Sequence, residues 1–444
     1  MRIGLFTDTY FPQVSGVATS IRTLKEELEE LGHEVYIFTT TDKAVGRYED
    51  PTIIRLPSVP FVSFTDRRVV YRGLMTSYRI AKAYQLDIIH TQTEFGMGNL
   101  GKLIGKALRI PVVHTYHTQY EDYVDYIAKG KIIRPGMVKY IVRGYLNNLD
   151  GIICPSRIVT NLLEGYEVKP VKRTIPTGIQ LDQFVRDDIS QEDVDRLRQD
   201  LGFQPNDTML LSLSRISSEK NIQAILASLP EVLSEYPHVK LVVVGDGPYL
   251  TTLKQLTTQL GLESSVIFTG MIEHNQVALY YKACDFFISA STSETQGLTY
   301  TEALASGKPV IAHGNPYLDD LITDKMFGTL YYDARDLPAA IIDALVSTPE
   351  MTQKHLTQKL NAISAQQFGK AVYNFYLDAI IAKAACRQYK YSLTLEGSPA
   401  DRSLQLVKQT AVLPVTLVKK TATTSAKVFK APIKVITSIK DFLE

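Results

Sequence analysis

The 444-residue chain has only three cysteines, Cys154, Cys284 and Cys386, spaced too widely for a metal-ligand cluster or a disulfide framework. They read as reduced thiols of a cytosolic protein. No run of about 18 apolar residues occurs, so no membrane-spanning helix is expected. The opening MRIGLFTDTYFPQ has no long apolar stretch behind a basic start, so no signal peptide is expected either. No nucleic-acid-binding module is recognisable. The D-x-D of Asp193 and Asp195 falls in a charged helical stretch (191–200), away from any strand end, and reads as a solvated face.

What is present fits a soluble α/β protein. Hydrophobic residues make up 45% of the chain and charged residues 21%, and the length calls for two domains. The formal net charge of +1 hides a segregation. Residues 1–180 carry 23 Lys and Arg against 18 Asp and Glu, residues 181–365 carry 13 against 24, and residues 366–444 carry 12 against 5. A basic front, an acidic middle and a basic tail suggest a protein oriented toward an anionic partner.

Short apolar runs alternate with helical patterns: RIGLFTD (2–8), VYIFTT (35–40), DIIHTQ (87–92), PVVHTYH (111–117) and GIICPS (151–156). The series restarts after about residue 185 with MLLSLS (209–214), VKLVVVGD (239–246), SVIFTG (265–270), FFISAS (286–291) and PVIAHG (309–314). Such strands belong to parallel sheets covered on both faces. Two series predict two doubly wound domains with a ligand cleft between them, beyond the carboxyl ends of the strands.

The strand ends carry the candidate chemistry. Ser15-Gly16 precedes a helix and suits an anion, although many α/β domains open with a small-residue loop. In SLSRISSEKN, Arg215 and Lys220 lie just past a strand and suit a diphosphate; a solvated loop is the plainer alternative. VVVGDGPY reads as a tight strand-to-helix turn around Gly245 and Gly247. STSETQGLTYTEALASG (291–307) places Glu294 before a helix start at Gly297 and Glu302 about a turn inside it. The N–H groups of Leu298, Thr299 and Tyr300 would then point at an anion. Glu302 would accept hydrogen bonds from a ribose, and Glu294 would meet a sugar beyond the phosphates. Taken alone, the two glutamates read more plainly as a helix cap and an ordinary helical residue.

They do not stand alone. FTDTYFPQVSGV, VVHTYHT, TIPTGIQLDQF, SRISSEKN, VVVGDGPY and SETQGLTYTEALASGKPVIA, as a set spanning roughly residues 1–390, resemble the retaining GT-B glycosyltransferases of the glycogen-synthase-like family. The resemblance implies two Rossmann-like domains, 1–185 facing the acceptor and 186–365 binding the nucleotide sugar, with a helix at 366–395 returning to the first. It implies that Glu294 and Glu302 hold sugar and ribose, and that Arg215 and Lys220 hold the diphosphate. It further implies that His117 lies over the reacting carbon and that backbone at Gly270 and Met271 holds the base. Ser15-Gly16 departs from the Gly-Gly of many members, which bears on how closely the first loop approaches the phosphates. No metal site is implied, since fixed cations take its place; Mg²⁺ would at most stimulate.

Between Arg67 and Arg143 lie 13 basic residues and five acidic ones. The segment 66–84 mixes Arg67, Arg68, Arg72, Arg79 and Lys82 with apolar residues, and 126–146 does likewise. After a linker-like break (396–403), the tail interleaves Lys419, Lys420, Lys430 and Lys434 with Val, Leu, Ile and Phe. These patterns suit a peripheral, cytoplasmic-face protein on an anionic membrane surface, with 396–444 as an added anchor; solvated faces and a flexible or oligomer-forming tail are the alternatives. Within the family the chain resembles bacterial glycolipid synthases that move glucose from UDP-glucose to diacylglycerol. Addition of a second hexose to a glycolipid, or a water-soluble acceptor with the tail on a protein partner, are the other readings.

Overall fold

The computed structural model describes residues 1–395 except 14, 43–44, 46–49, 62–63, 118–134 and 295. The tail with Lys419, Lys420, Lys430 and Lys434, and residues 126–134 of the basic segment 126–146, therefore lie outside the described residues.

Each apolar strand feeds two layers. In β1 (Arg2–Phe6), Ile3 and Leu5 pack with α1 (Gly16–Glu30), while Phe6 faces the opposite layer. In β2 (Glu34–Thr40) and β6 (Ile88–Thr91), Ile37 and Phe38, and Ile88 and Ile89, divide in the same way. This is the two-residue period of a strand buried on both faces. The remaining first-lobe strands are β3 (Ile53–Leu56), the antiparallel pair β4 (Ser58–Phe61) and β5 (Phe64–Val70), then β7 (Val112–Thr115), β8 (Gly151–Cys154) and β9 (Lys172–Thr174). Their helices are α2 (Leu74–Ala83), α3 (Gly96–Leu108), α4 (Pro135–Leu146) and α5 (Arg157–Gly165). The main sheet is parallel, in the order β3-β2-β1-β6-β7-β8-β9.

The second lobe repeats the scheme. After α6 (Gln191–Asp200) come β10 (Thr208–Leu213), α7 (Ile222–Glu235), β11 (Val239–Val244), α8 (Leu250–Gln259) and β12 (Val266–Gly270). Then follow α9 (Val277–Ala283), β13 (Phe286–Ser289), α10 (Leu298–Ala305), β14 (Val310–His313), α11 (Pro316–Leu321) and β15 (Gly328–Tyr331). The parallel order is β12-β11-β10-β13-β14-β15. Helices α12 (Leu337–Ser347) and α13 (Gln353–Ile363) complete the lobe. Asp193 caps α6 through a capping box with Ser190, and both it and Asp195 lie on this helix.

The last helix, α14 (Ala365–Leu395), returns to the first lobe and packs on α1. Gly369 lies so close to Glu27 that a Cβ there would come within 2.5 Å of it. Lys383 pairs with Asp150 at 2.8 Å, Arg173 with Asp378 at 2.8 Å, and the buried Tyr376 hydroxyl bonds His90 at 2.6 Å.

Candidate active site

Both sheets reverse direction at their first strand, between β1 and β6 and between β10 and β13. Ligands bind open α/β sheets at such switch points, outside the carboxyl ends of the strands.

In the second lobe the flanking loops carry the predicted residues. The loop after β10 holds Arg215 and Lys220, and the loop after β13 holds Glu294. The Asn221 amide donates to Ala290 O at 3.3 Å and the Ser291 hydroxyl to Glu219 O at 3.4 Å, so the two loops are tied together. The Lys220 ammonium contacts the Glu294 carboxylate directly. The sequence reading assigned these two to opposite partners, phosphate and sugar; in this structure they face each other. Arg215 is exposed, and among the described residues its guanidinium has no hydrogen bond or ion pair.

Gly297 opens α10 with φ +77°, and a Cβ there would meet the Tyr300 ring at 2.5 Å, so this start depends on glycine. Among the described residues no side chain caps α10, which leaves its first N–H groups, near Leu298 and Thr299, open to an anion. Glu302 lies one turn on and accepts a hydrogen bond from the Tyr281 hydroxyl at 2.9 Å. Burial pushes its carboxyl up to about 7, against the lowering effect of the Tyr281 bond.

Gly245 and Gly247 serve backbone packing. A Cβ at either would come within about 2 Å of a carbonyl of the Arg215 loop, Ser214 O at 1.9 Å or Ile216 O at 2.1 Å. The Gly270 carbonyl accepts from Gly245 N–H at 2.9 Å, which leaves the adjacent backbone and the 76%-exposed Met271 at the end of β12 to meet a ligand.

The first lobe differs in kind. Ser15 caps α1 by accepting from Ala18 N–H at 3.2 Å, and Gly16 has open space where a Cβ would sit. Buried Asp8 accepts from the Thr93 hydroxyl at 2.6 Å and from Met97 N–H at 3.0 Å, which joins the loops after β1 and β6. His117, just past β7, is bonded through Nε2 to Gln92 Oε1 at 2.7 Å. Burial, helped by nearby His114, pushes its pKa down to about 3, so the imidazole is neutral near pH 7. His114 lies between the Thr91 hydroxyl (2.9 Å) and Glu94 (3.2 Å).

The segment 66–84 is not one amphipathic element. Its first part is strand β5, and Arg68 is turned onto Ser58 of β4, donating at 2.9 and 2.8 Å, so it braces the hairpin while partly exposed. Arg67 lies in the same strand. Arg72, Arg79 and Lys82 are exposed near Tyr71, Leu74 and Met75, large apolar side chains that are also exposed.

Gln92, Tyr281 and Gln296 were missed in the sequence. Gln92 and Gln296 stand inside the strand-end stretches already singled out, but an uncharged amide gives no pattern until its partner is known. Among the described residues no group of three or more His, Cys, Asp or Glu is placed to hold a metal ion, and no helix is long and apolar enough to cross a membrane.

Residues 14–183 match the family described as Glycosyltransferase Family 4, and residues 193–362 match Glycosyl transferases group 1. The alpha-monoglucosyldiacylglycerol synthase of Streptococcus pneumoniae is 60% identical, over 100% of this chain and 99% of its own. The enzyme of the same name from Acholeplasma laidlawii is 33% identical, over 86% of this chain and 98% of its own. Among solved structures, sucrose-phosphate synthase of Thermosynechococcus elongatus shares the GT-B fold (TM-score 0.67, 22% identity), over 86% of this chain and 99% of that one.

Proposed function

The chain belongs to the family 4 glycosyltransferases, and on that premise we propose that it moves glucose from UDP-glucose to the 3-hydroxyl of 1,2-diacylglycerol with retention, giving α-monoglucosyldiacylglycerol. The observation that best supports this reading is the meeting of Lys220 with Glu294 at the second switch point, between exposed Arg215 and the uncapped start of α10. The donor's diphosphate sits among Arg215, Lys220 and the helix N–H groups, displacing the Lys220–Glu294 contact. Glu294 then turns to the sugar hydroxyls, Glu302 takes the ribose, and backbone at Gly270 and Met271 takes the base.

The bond from the anomeric carbon to the phosphate oxygen breaks, and a bond to the acceptor oxygen forms on the same face. The acceptor's proton passes to the departing diphosphate. Negative charge grows on the leaving group, where Arg215, Lys220 and the N–H groups converge; positive charge placed there acts most strongly in the transition state. His117, neutral near pH 7, lies at the sugar without serving as acid, base or nucleophile.

The acceptor hydroxyl lies at the headgroup boundary of a bilayer. Residues 1–185 therefore dock at the cytoplasmic face through Arg72, Arg79 and Lys82 with the apolar residues beside them, and 396–444 add an anchor. Residues 186–365, which carry the excess of acid, stay off the anionic surface. Labelled nucleotide sugars offered to vesicles holding diacylglycerol or monohexosyl diacylglycerol test the reading. Label from UDP-glucose is expected in the diacylglycerol product alone. Transfer only onto the monohexosyl lipid, or only onto a soluble acceptor, would replace it.

A further inference from the structure

We infer that Gln296 is a positioning residue, coupling the donor loop to the hinge between the lobes; the inference rests on the donor-site reading above. Core membership changes hands over a few residues: Ile175 packs with α1 and α14, whereas Ile179 and Phe184 pack in the second lobe. The return crossing occurs at the same place, since Ile363 belongs to the second lobe and Phe368 to the first. Ile179 N–H donates to Ile363 O at 3.0 Å and Ala365 N–H to Ile179 O at 2.9 Å, and a Cβ on Gly178 would come within 2.3 Å of Ser364 O. Thr177 stands inside this stitched double crossing.

Gln296, 5% exposed, holds the Thr177 peptide with both ends of its carboxamide. Its Oε1 accepts from Thr177 N–H at 2.8 Å, and its Nε2 donates to Thr177 O at 2.7 Å. Tyr317 of α11 lies beside the same side chain, and Thr177 Oγ1 pairs with Ser20 of α1 at 2.9 Å. A carboxamide offers one donor and one acceptor side by side, the complement of a single residue's N–H and C=O. Gln296 lies two residues after Glu294 and one before Gly297. A rotation of the lobes that shifts the Thr177 peptide therefore moves the carboxylate proposed to read the sugar and the helix start proposed to read the phosphates. The bare nucleotide lacks the group that Glu294 would contact, so the coupling should appear in the difference between UDP and UDP-glucose.

The experiment compares wild type, Gln296→Met, which keeps the volume without the hydrogen bonds, and Gln296→Asn, which keeps a shorter carboxamide. Asp320→Ala serves as control, because it cuts the exposed inter-lobe Arg157–Asp320 bridge of 2.9 Å while leaving the Gln296–Thr177 bonds in place. Binding of UDP and UDP-glucose is measured by calorimetry, and transfer by lipid product formation. Gln296→Met is expected to bind UDP within about twofold of wild type, to lose its preference for UDP-glucose, and to transfer on the order of tenfold or more slowly. Gln296→Asn should fall between, and Asp320→Ala should match wild type. A wild-type affinity ratio and kcat in Gln296→Met, with only a lowered thermal midpoint, would make Gln296 a structural residue and overturn the inference. If Gln296→Met does not fold, a wild-type ratio and kcat in Gln296→Asn do the same. Absence of UDP and UDP-glucose binding in wild type itself would remove the donor reading and this inference with it.

Discussion

At the strand ends of the first lobe the polar groups are buried and joined to one another: Asp8 to Thr93, His117 to Gln92, His114 to Thr91 and Glu94. At the strand ends of the second lobe the charged groups have few partners among the described residues: Arg215 is open to solvent, Lys220 meets Glu294, and Glu302 is held by one tyrosine hydroxyl. The same doubly wound scaffold thus presents an internally hydrogen-bonded wall on one side and charged groups with few protein partners on the other. Groups already bonded within the protein gain little from a new partner, whereas the exposed Arg215 guanidinium gains most from a diphosphate.

The largest effect expected from this contrast is at Lys220. Lys220→Ala should slow transfer by about 10²–10³-fold while weakening nucleotide binding less, since the leaving charge grows in the transition state. Near-normal kcat would remove the diphosphate role.

Gly245→Ala sharpens the contrast from the packing side. With φ +134° and a carbonyl 1.9 Å from its Cβ position, the substitution should cost about 1–3 kcal/mol of stability. A thermal midpoint equal to wild type would show that the Arg215 loop does not rest on this turn.

The next effect is one of pH. Free Glu302, at about 7, is raised above the ordinary 4.5, so the unliganded fold binds the extra proton and loses stability as pH rises from about 4.5 to 7. A ribose diol donating to the carboxylate favours the ionised form. Nucleotide binding should therefore release protons near pH 7 and weaken by at most about tenfold per pH unit below it. Calorimetry in buffers of different ionisation enthalpy reads this, and Glu302→Gln should abolish it. His117, at about 3, should add no limb to the rate profile between pH 5 and 9 on the first-lobe side; a limb lost in His117→Asn would show that the wall titrates.

The smallest effect belongs to the surface. One charge near an anionic bilayer contributes about 1 kcal/mol, so Arg79→Ala should weaken flotation with anionic vesicles roughly fivefold at low salt and less at high salt. Equal binding to neutral and anionic vesicles would dismiss electrostatic docking.

The two-sheet architecture was legible because strands buried on both faces must be continuously apolar and their connecting helices must follow. The β1, β2, β10, β11 and β13 segments all stand where the apolar runs put them. The strand-end stretches bearing Arg215, Lys220, Glu294 and Glu302 were legible for the same reason, since the chemistry follows the strand directly. The local structure from residue 66 onward was not legible, because alternating basic and apolar residues fit a surface strand as well as a helix, and the Arg68 bonds to Ser58 reach across the hairpin.

The sequence by itself determined the alternation, the charge segregation and the glycines that only one backbone conformation admits, because these are local properties with a short period. The tertiary structure alone decided that Lys220 meets Glu294 across 74 positions, that Gln92 holds His117, and that Gln296 grips Thr177 from 119 residues away. Those contacts depend on strand order and on where the chain crosses between lobes, and no local pattern encodes which strand will lie beside which.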